Sequence, residues 1–357
     1  MDHLPSFSWT NIAIALVLAV ISSLAMGAFL SKNHMPVDGK TVLITGASEG
    51  MGRSAALQLA AKGANVAVVS RSADKLAAVV AECEAAALHP GSQRFGFFTA
   101  DVSKPDYAAP LLADVVAWNG GRPVDIVWCA AGMSTPDFWL EVPLSKSRSQ
   151  MDVNYWGAAE MAHAVLRQWL AAPSTTSTPS SSDKEQQPKH LVFTSSVLAF
   201  FPVVGYGPYT PAKSALRGLA DTLVQEVEAY PGNVKVHVVY PGSISSPGFE
   251  RENKTKPAVT RVIEDGDPVQ TPDAVAASAI AGLEKGHYAI TVALLGHFLR
   301  WGVQGGSPRN TWFVDTIMAC LAPIVWIFAL PDVYSKIRKH AKEHGHPATY
   351  WNKDIAN

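Results

Sequence analysis

Short apolar runs recur along the middle of the chain: residues 65–70 (NVAVVS), 94–100 (RFGFFTA), 124–130 (VDIVWCA), 190–196 (HLVFTSS) and 234–240 (VKVHVVY). They are rich in valine and phenylalanine, too short for helices, and nearly continuous rather than alternating. That pattern predicts strands covered on both faces. A further β-branched run opens residues 40–52 (KTVLITGASEGMG) and breaks into Gly46, Gly50 and Gly52 before the helical pattern RSAALQLAAKG. Helical-length segments separate the runs, among them the alanine-rich stretch 73–88. Strands alternating with helices predict an α/β chain: one doubly wound parallel sheet in a single domain, with its ligand at the carboxyl ends of the strands.

At 357 residues the chain is long for one such domain, and the excess lies at the two ends and in one insert. The insert, residues 171–188 (AAPSTTSTPSSSDKEQQP), is rich in Ser, Thr and Pro and reads as a disordered loop. It joins a helix to the strand preceding Ser196, at the end of the sheet away from the ligand. Residues 12–30 (IAIALVLAVISSLAMGAFL) carry no charge and are long enough to cross about 30 Å of hydrocarbon. The segment before them has no Lys or Arg, which argues for an uncleaved anchor over a signal peptide. Lys32, His34 and Lys40 follow the run while Asp2 precedes it, a bias that leaves the domain in the cytosol.

A second apolar run, residues 311–330, is also long enough to span, with Asp315 near one end and Pro323 within. Residues 292–303 before it are amphipathic, and SKIRKHAKEH after it is basic and expected on the cytosolic side. With domain and tail on one side, a single C-terminal span is inconsistent, so a hairpin or an interfacial dip is required; an apolar helix packed on a partner subunit is the alternative. The expected organisation is an anchor over 1–36, a catalytic domain over 37–292, a membrane-associated segment over 293–335 and a tail over 336–357.

Twenty-nine basic and 30 acidic residues give a net charge of −1, with no basic stripe to suggest nucleic acid. The three cysteines, Cys83, Cys129 and Cys320, have no metal-type spacing and fit a reducing compartment.

The chemistry begins at two places. A strand, a glycine turn and a helix N-terminus over 40–52 let backbone N–H groups approach a pyrophosphate, where the helix dipole favours negative charge. Tyr209 and Lys213 lie four residues apart on one helix face, with Ser196 thirteen positions upstream. Pro208 and Pro211 sit near the start of that helix, where a missing N–H costs little. A nearby cation lowers a tyrosine pKa, which would make Tyr209 usable as a general acid or base.

Together these residues resemble the short-chain dehydrogenase/reductase family over about residues 37–292. Thr45-Gly46-x-x-x-Gly50-x-Gly52 is similar to its cofactor motif, and Asp101 in TADVS to the acid that contacts the adenine. Asn154 in MDVNYWG, Ser196, Tyr209 and Lys213 match its four catalytic positions. The resemblance implies a Rossmann fold and cofactor contacts from Ser48, Met51, Ser70 and Val102 as well as from the glycines, Tyr209 and Lys213. In the implied mechanism Ser196 orients the carbonyl, Tyr209 gives the proton, Lys213 holds the ribose, and Asn154 supports a water relay. One departure is Ala130-Ala131-Gly132, where the family has Asn-Ala-Gly; altered strand support is the expected consequence.

Cofactor choice turns on Ser70 and Arg71, where arginine and no acid favours NADPH over NADH. Glu49 in the glycine loop argues against, because its charge would sit near the 2′-phosphate. GASEGMG, GYGPYTPAK and especially PGFERENKTKP (247–257) resemble the branch of the family that reduces 3-ketodihydrosphingosine at the endoplasmic reticulum membrane. That branch implies a long-chain lipid ketone as substrate and a domain facing the cytosol; whether the chain forms a homo-oligomer stays open. Pro241–Ser246 lacks the acid that the branch carries there, and Glu250 and Glu252 are the nearby candidates for meeting a substrate ammonium, or else are solvated charges. Another long-chain lipid ketone (a 3-oxoacyl thioester or a steroid), NAD-dependent alcohol oxidation and a non-catalytic scaffold are the alternatives. Asn253-Lys254-Thr255 is a glycosylation sequon in an expected surface loop, so a glycan there would mean a lumenal domain.

Overall fold

The computed structural model describes residues 32–171, 187–230 and 232–347. Every predicted run becomes a strand: β1 Thr41–Thr45, β2 Asn65–Ser70, β3 Phe95–Thr99, β4 Ile126–Cys129, β5 Lys189–Thr194 and β6 Val234–Tyr240. A short β7, Ala289–Thr291, joins them. All pair in parallel, in the order β3-β2-β1-β4-β5-β6-β7. The chain order reverses between β1 and β4, and a crevice opens there at the carboxyl ends.

The helices are α1 Gly50–Ala60, α2 Ala73–Ala85, α3 Ala108–Trp118, α4 Leu144–Met151, α5 Gly157–Trp169, α6 Thr210–Glu226, α7 Pro247–Thr255, α8 Ala258–Ile263, α9 Pro272–Glu284, α10 Leu294–Gly302 and α11 Trp312–His344. Alternate strand residues feed two cores. Leu43, Val127, Phe193 and Val238 pack with Leu112, Val115, Met161 and Leu216 of α3, α5 and α6. Val42, Ile44, Trp128 and Val239 pack on the other face with Leu59, Leu76, Val79 and Ile280 of α1, α2 and α9. Burial on both faces is why the inner runs are apolar nearly throughout rather than every second residue, whereas the edge strand β3 leaves Phe97 exposed.

The stretch expected as a loop at 247–257 is largely helix α7. Ser246 caps it, its Oγ accepting from Phe249 N at 3.2 Å, and Pro247 takes the first position, where its fixed φ suits a helix. The sequon at Asn253 is therefore helical and not in a loop.

Among the described residues, α11 alone is long and apolar enough to cross a membrane. It runs 33 residues through Pro323 and Pro331 into the basic stretch, so the boundary expected at 335/336 falls inside one helix. Its start is locked to α10 by a buried bidentate pair: Arg300 donates to Asp315 at 2.7 and 2.9 Å, and Trp301 Nε1 adds a third bond at 2.8 Å. The expected anchor at 12–30, nearly all of the insert and the last ten residues lie outside the described residues.

Candidate active site

β5 delivers the first candidate side chain. Just past its carboxyl end, Ser196 caps a short turn, its Oγ accepting from Leu198 N at 3.2 Å. Tyr209 precedes α6, and Lys213 follows one turn later with its side chain buried. Lys213 Nζ donates to the Thr194 carbonyl at 2.9 Å, while Ser195 Oγ donates to the Lys213 carbonyl at 2.9 Å. These two bonds tie the end of β5 to the start of α6, which brings Ser196 and Tyr209 within hydrogen-bonding reach of each other.

Asn154 sits in a π-helical turn, Asp152–Trp156, between α4 and α5. It is buried, accepting from Met133 N at 2.9 Å and donating to the Met133 carbonyl at 2.8 Å. A Cβ on Gly132 would lie 3.0 Å from Asn154 Oδ1 and 3.4 Å from Lys213 Nζ, so the bare Gly132 backbone separates the two. The altered Ala130-Ala131-Gly132 stretch is steadied by Thr45, whose Oγ1 accepts from Ala131 N at 3.4 Å.

Burial lowers the Lys213 pKa to about 8. Burial raises that of Tyr209, the negative charge of Glu252 raises it further, and the hydrogen bond with Ser196 pulls it back only in part. The expectation that Lys213 lowers the tyrosine is therefore not met. The ammonium lies 5.6 Å from the Tyr209 ring centre and is turned to the Thr194 carbonyl, and desolvation outweighs it. Tyr209 is held as a neutral phenol at pH 7, the form that donates a proton.

The glycine turn fits a dinucleotide. Gly46 has φ +72°, and a Cβ on it would stand 2.5 Å from Ala131 Cα; a Cβ on Gly52 would overlap the Gly46 carbonyl. Only bare backbone permits this tight turn into the N-terminus of α1, whose first turn carries no acid. Gly46, Ser48, Gly50, Met51 and Gly52 line one cavity of about 940 Å³ together with Ser70, Arg71, Asp101, Val102, Ser196, Tyr209 and Lys213. Asn154 stands behind its wall. Burial tends to raise the Asp101 carboxyl, but bonds from Ser103 and the charges of Arg71 and Lys104 hold it below the usual range. Glu49, expected to oppose a 2′-phosphate, is instead neutralised by Lys75 at 3.0 Å and by Arg251.

Glu252 was a candidate in the sequence, but its partners and the place of α11 in the cavity wall were not. Tyr206 Oη donates to Glu252 at 2.5 Å, and the buried Lys256 bridges Glu252 at 3.2 Å and Glu264 at 2.7 Å. Glu252, Glu264 and Asp267 all line the cavity, whereas Glu250 is exposed and does not. On the far side Trp326, Ala329 and Val333 of α11 close the wall.

The short chain dehydrogenase family model matches residues 40–257. The chain is 55% identical over 350 residues to a 3-ketodihydrosphingosine reductase of Neurospora crassa, covering 98% of this chain and 95% of that protein. It is 39% identical to a 3-ketodihydrosphingosine reductase of Aspergillus fumigatus, covering 98% and 99%. Among solved structures, a short-chain dehydrogenase from Sphingobium yanoikuyae in complex with NADPH superposes with a TM-score of 0.57 at 21% identity, covering 71% of this chain and 88% of that one.

Proposed function

The chain belongs to the short-chain dehydrogenase family, and we propose that it reduces 3-ketodihydrosphingosine to dihydrosphingosine with NADPH. The observation that carries the chemistry is the convergence of Ser196, Tyr209 and Lys213 beside a glycine cradle that admits a pyrophosphate. The substrate comes from the relatives, which bear this activity over nearly the whole chain.

Gly46, Gly50 and Gly52 with the α1 N-terminus would hold the pyrophosphate of NADPH, Asp101 the adenine side and Arg71 the 2′-phosphate. Bound there, NADPH supplies the hydride. Ser196 holds the ketone oxygen, and the neutral Tyr209 phenol gives its proton to that oxygen as negative charge develops on it. Both donors act more strongly on the developing alkoxide than on the ground-state carbonyl. Lys213, charged below about pH 8, holds the ribose and offsets the charge left on Tyr209. Asn154 keeps the segment after β4 in place behind the lysine and supports a proton relay there. Glu252, Glu264 and Asp267 set three carboxylates against the buried Lys256 on the cavity wall near Tyr209, an acidic wall that suits the substrate ammonium.

The site of action in this reading is the endoplasmic reticulum membrane, with the domain facing the cytosol. α11 supports a helix lying in the membrane surface rather than across it. Its domain-facing stripe carries buried Asp315 and Ala322 and reaches the cavity wall at Trp326, Ala329 and Val333, so the domain covers one face of the apolar stretch along most of its length. Its opposite face exposes Phe313, Leu321, Ile324, Val325, Ile327 and Phe328. Such a helix keeps the domain and the basic end on one side.

The test is NADPH oxidation by the purified chain with 3-ketodihydrosphingosine set against a 3-oxoacyl thioester. Preference for the aminoketone is expected; preference for the thioester would overturn the substrate and leave the family untouched.

A further inference from the structure

The cavity that holds Ser196 and Tyr209 does not end at the reacting carbon. It continues away from the glycine cradle between α10 and α11, elements that lie beyond the family match at 40–257. Leu295 and Leu299, one turn apart on α10, face Trp326, Ala329 and Val333, at i, i+3 and i+7 on α11. Phe201, five residues after Ser196, joins the two: its ring stacks on Trp326 with centres 5.2 Å apart and planes 12° off parallel. Trp326 reaches this place because Gly302 has no side chain; a Cβ there would overlap the indole. Outside the groove, Leu294 and Phe298 of α10 and Ile327 and Phe328 of α11 are exposed, so its rim is apolar too.

We propose that α10 and α11 form the channel for the alkyl chain of the ketone, with Phe201 and Trp326 as its floor and Ala329 as the small residue that keeps it open. The occupant follows from continuity. An apolar groove that leaves the catalytic serine and tyrosine on the side away from the dinucleotide cradle can hold only the substrate's own apolar part. The carboxylates of α7 and α8 lie in the same cavity, so a polar head and an apolar tail each find a matching wall. The exposed apolar rim lets a lipid enter without its chain crossing water. The inference rests on the long-chain substrate proposed above.

Filling the groove tests it. Each methylene kept from burial lowers kcat/KM by about 4-fold, so Ala329→Trp, which displaces several, is expected to lower kcat/KM about 10-fold or more for the 18-carbon aminoketone. For an 8-carbon analogue with the same head group the change should stay within about 2-fold. Leu295→Trp, approaching from the opposite wall, should reproduce this selectivity even if one variant folds poorly. Loss on both substrates alike, or on neither, in folded protein would overturn the channel. Wild-type protein inactive on the 18-carbon aminoketone would sink the proposed substrate and the channel with it, whereas active wild type with insensitive variants sinks the channel alone.

Discussion

The Lys213 ammonium donates to the Thr194 carbonyl across 2.9 Å, on the strand that leads into Ser196. The lysine thereby serves the site as a buried cation fixed to β5. Burial brings its pKa to about 8, so it is charged at pH 7 and neutral well above. The rate of ketone reduction should fall as pH rises through about 8, read as kcat/KM against pH. A profile flat to pH 10 would show that the charge on Lys213 has no part in the reaction.

Arg71 stands at the end of β2 with no acid beside it in the loop, and Glu49 across the cavity is already paired with Lys75 and Arg251. Arg71→Ala should weaken NADPH binding by about 10-fold or more, the loss of a charge-assisted bond, and leave NADH binding unchanged. Titration of both nucleotides by fluorescence checks it. Equal weakening of both would remove Arg71 from the 2′-phosphate.

Gly46 and Gly91 both have positive φ, +72° and +85°, but only Gly46 faces backbone within 3 Å. Gly46→Ala adds overlap with Ala131 to the backbone strain and should destabilise by about 2–4 kcal/mol. Gly91→Ala meets open space and should lose about 1 kcal/mol. Urea unfolding of the two variants separates packing from strain.

His190 and His237 stack in the sheet interior, joined at 3.0 Å, and His237 Nδ1 donates to the His287 carbonyl at 2.7 Å. Burial lowers His190 to about 3 and His237 to about 4, so both stay neutral in the fold while unfolded histidine takes a proton near 6.5. Below pH 6.5 the unfolded chain binds more protons, so stability falls with pH, by about 1.4 kcal/mol per unit for each imidazole. The loss runs on until the folded values are reached. His190→Gln should flatten the dependence of stability on pH between 6.5 and 5; an unchanged slope would place the acid sensitivity elsewhere.

Much of this molecule was legible in its sequence because a few local rules were enough. Strands buried on both faces must be largely apolar, so five of the seven appeared as runs; the edge strand β3 showed through its phenylalanines, and β7, three residues long, is too short to form a run. Ser196 and the Tyr209–Lys213 pair were legible because one strand end and one helix turn fix them. What escaped depends on distant packing. The Tyr206–Glu252 contact joins the loop before α6 to α7, the Lys256–Glu264 pair ties the end of α7 to the end of α8, and Trp326 meets Phe201 across more than a hundred residues. The expected lowering of the Tyr209 pKa failed for a related reason: spacing put a cation nearby, but not the burial that outweighs it.

In the proposed function Tyr209 is the proton donor in reduction of a sphingoid ketone. The most direct test is dihydrosphingosine formed from 3-ketodihydrosphingosine and NADPH by purified wild-type chain and by Tyr209→Phe. Wild type should make product, and the variant should lose about 10²–10⁴ in rate, the usual worth of a general acid, while still binding NADPH. Product formed by Tyr209→Phe at the wild-type rate would contradict the account.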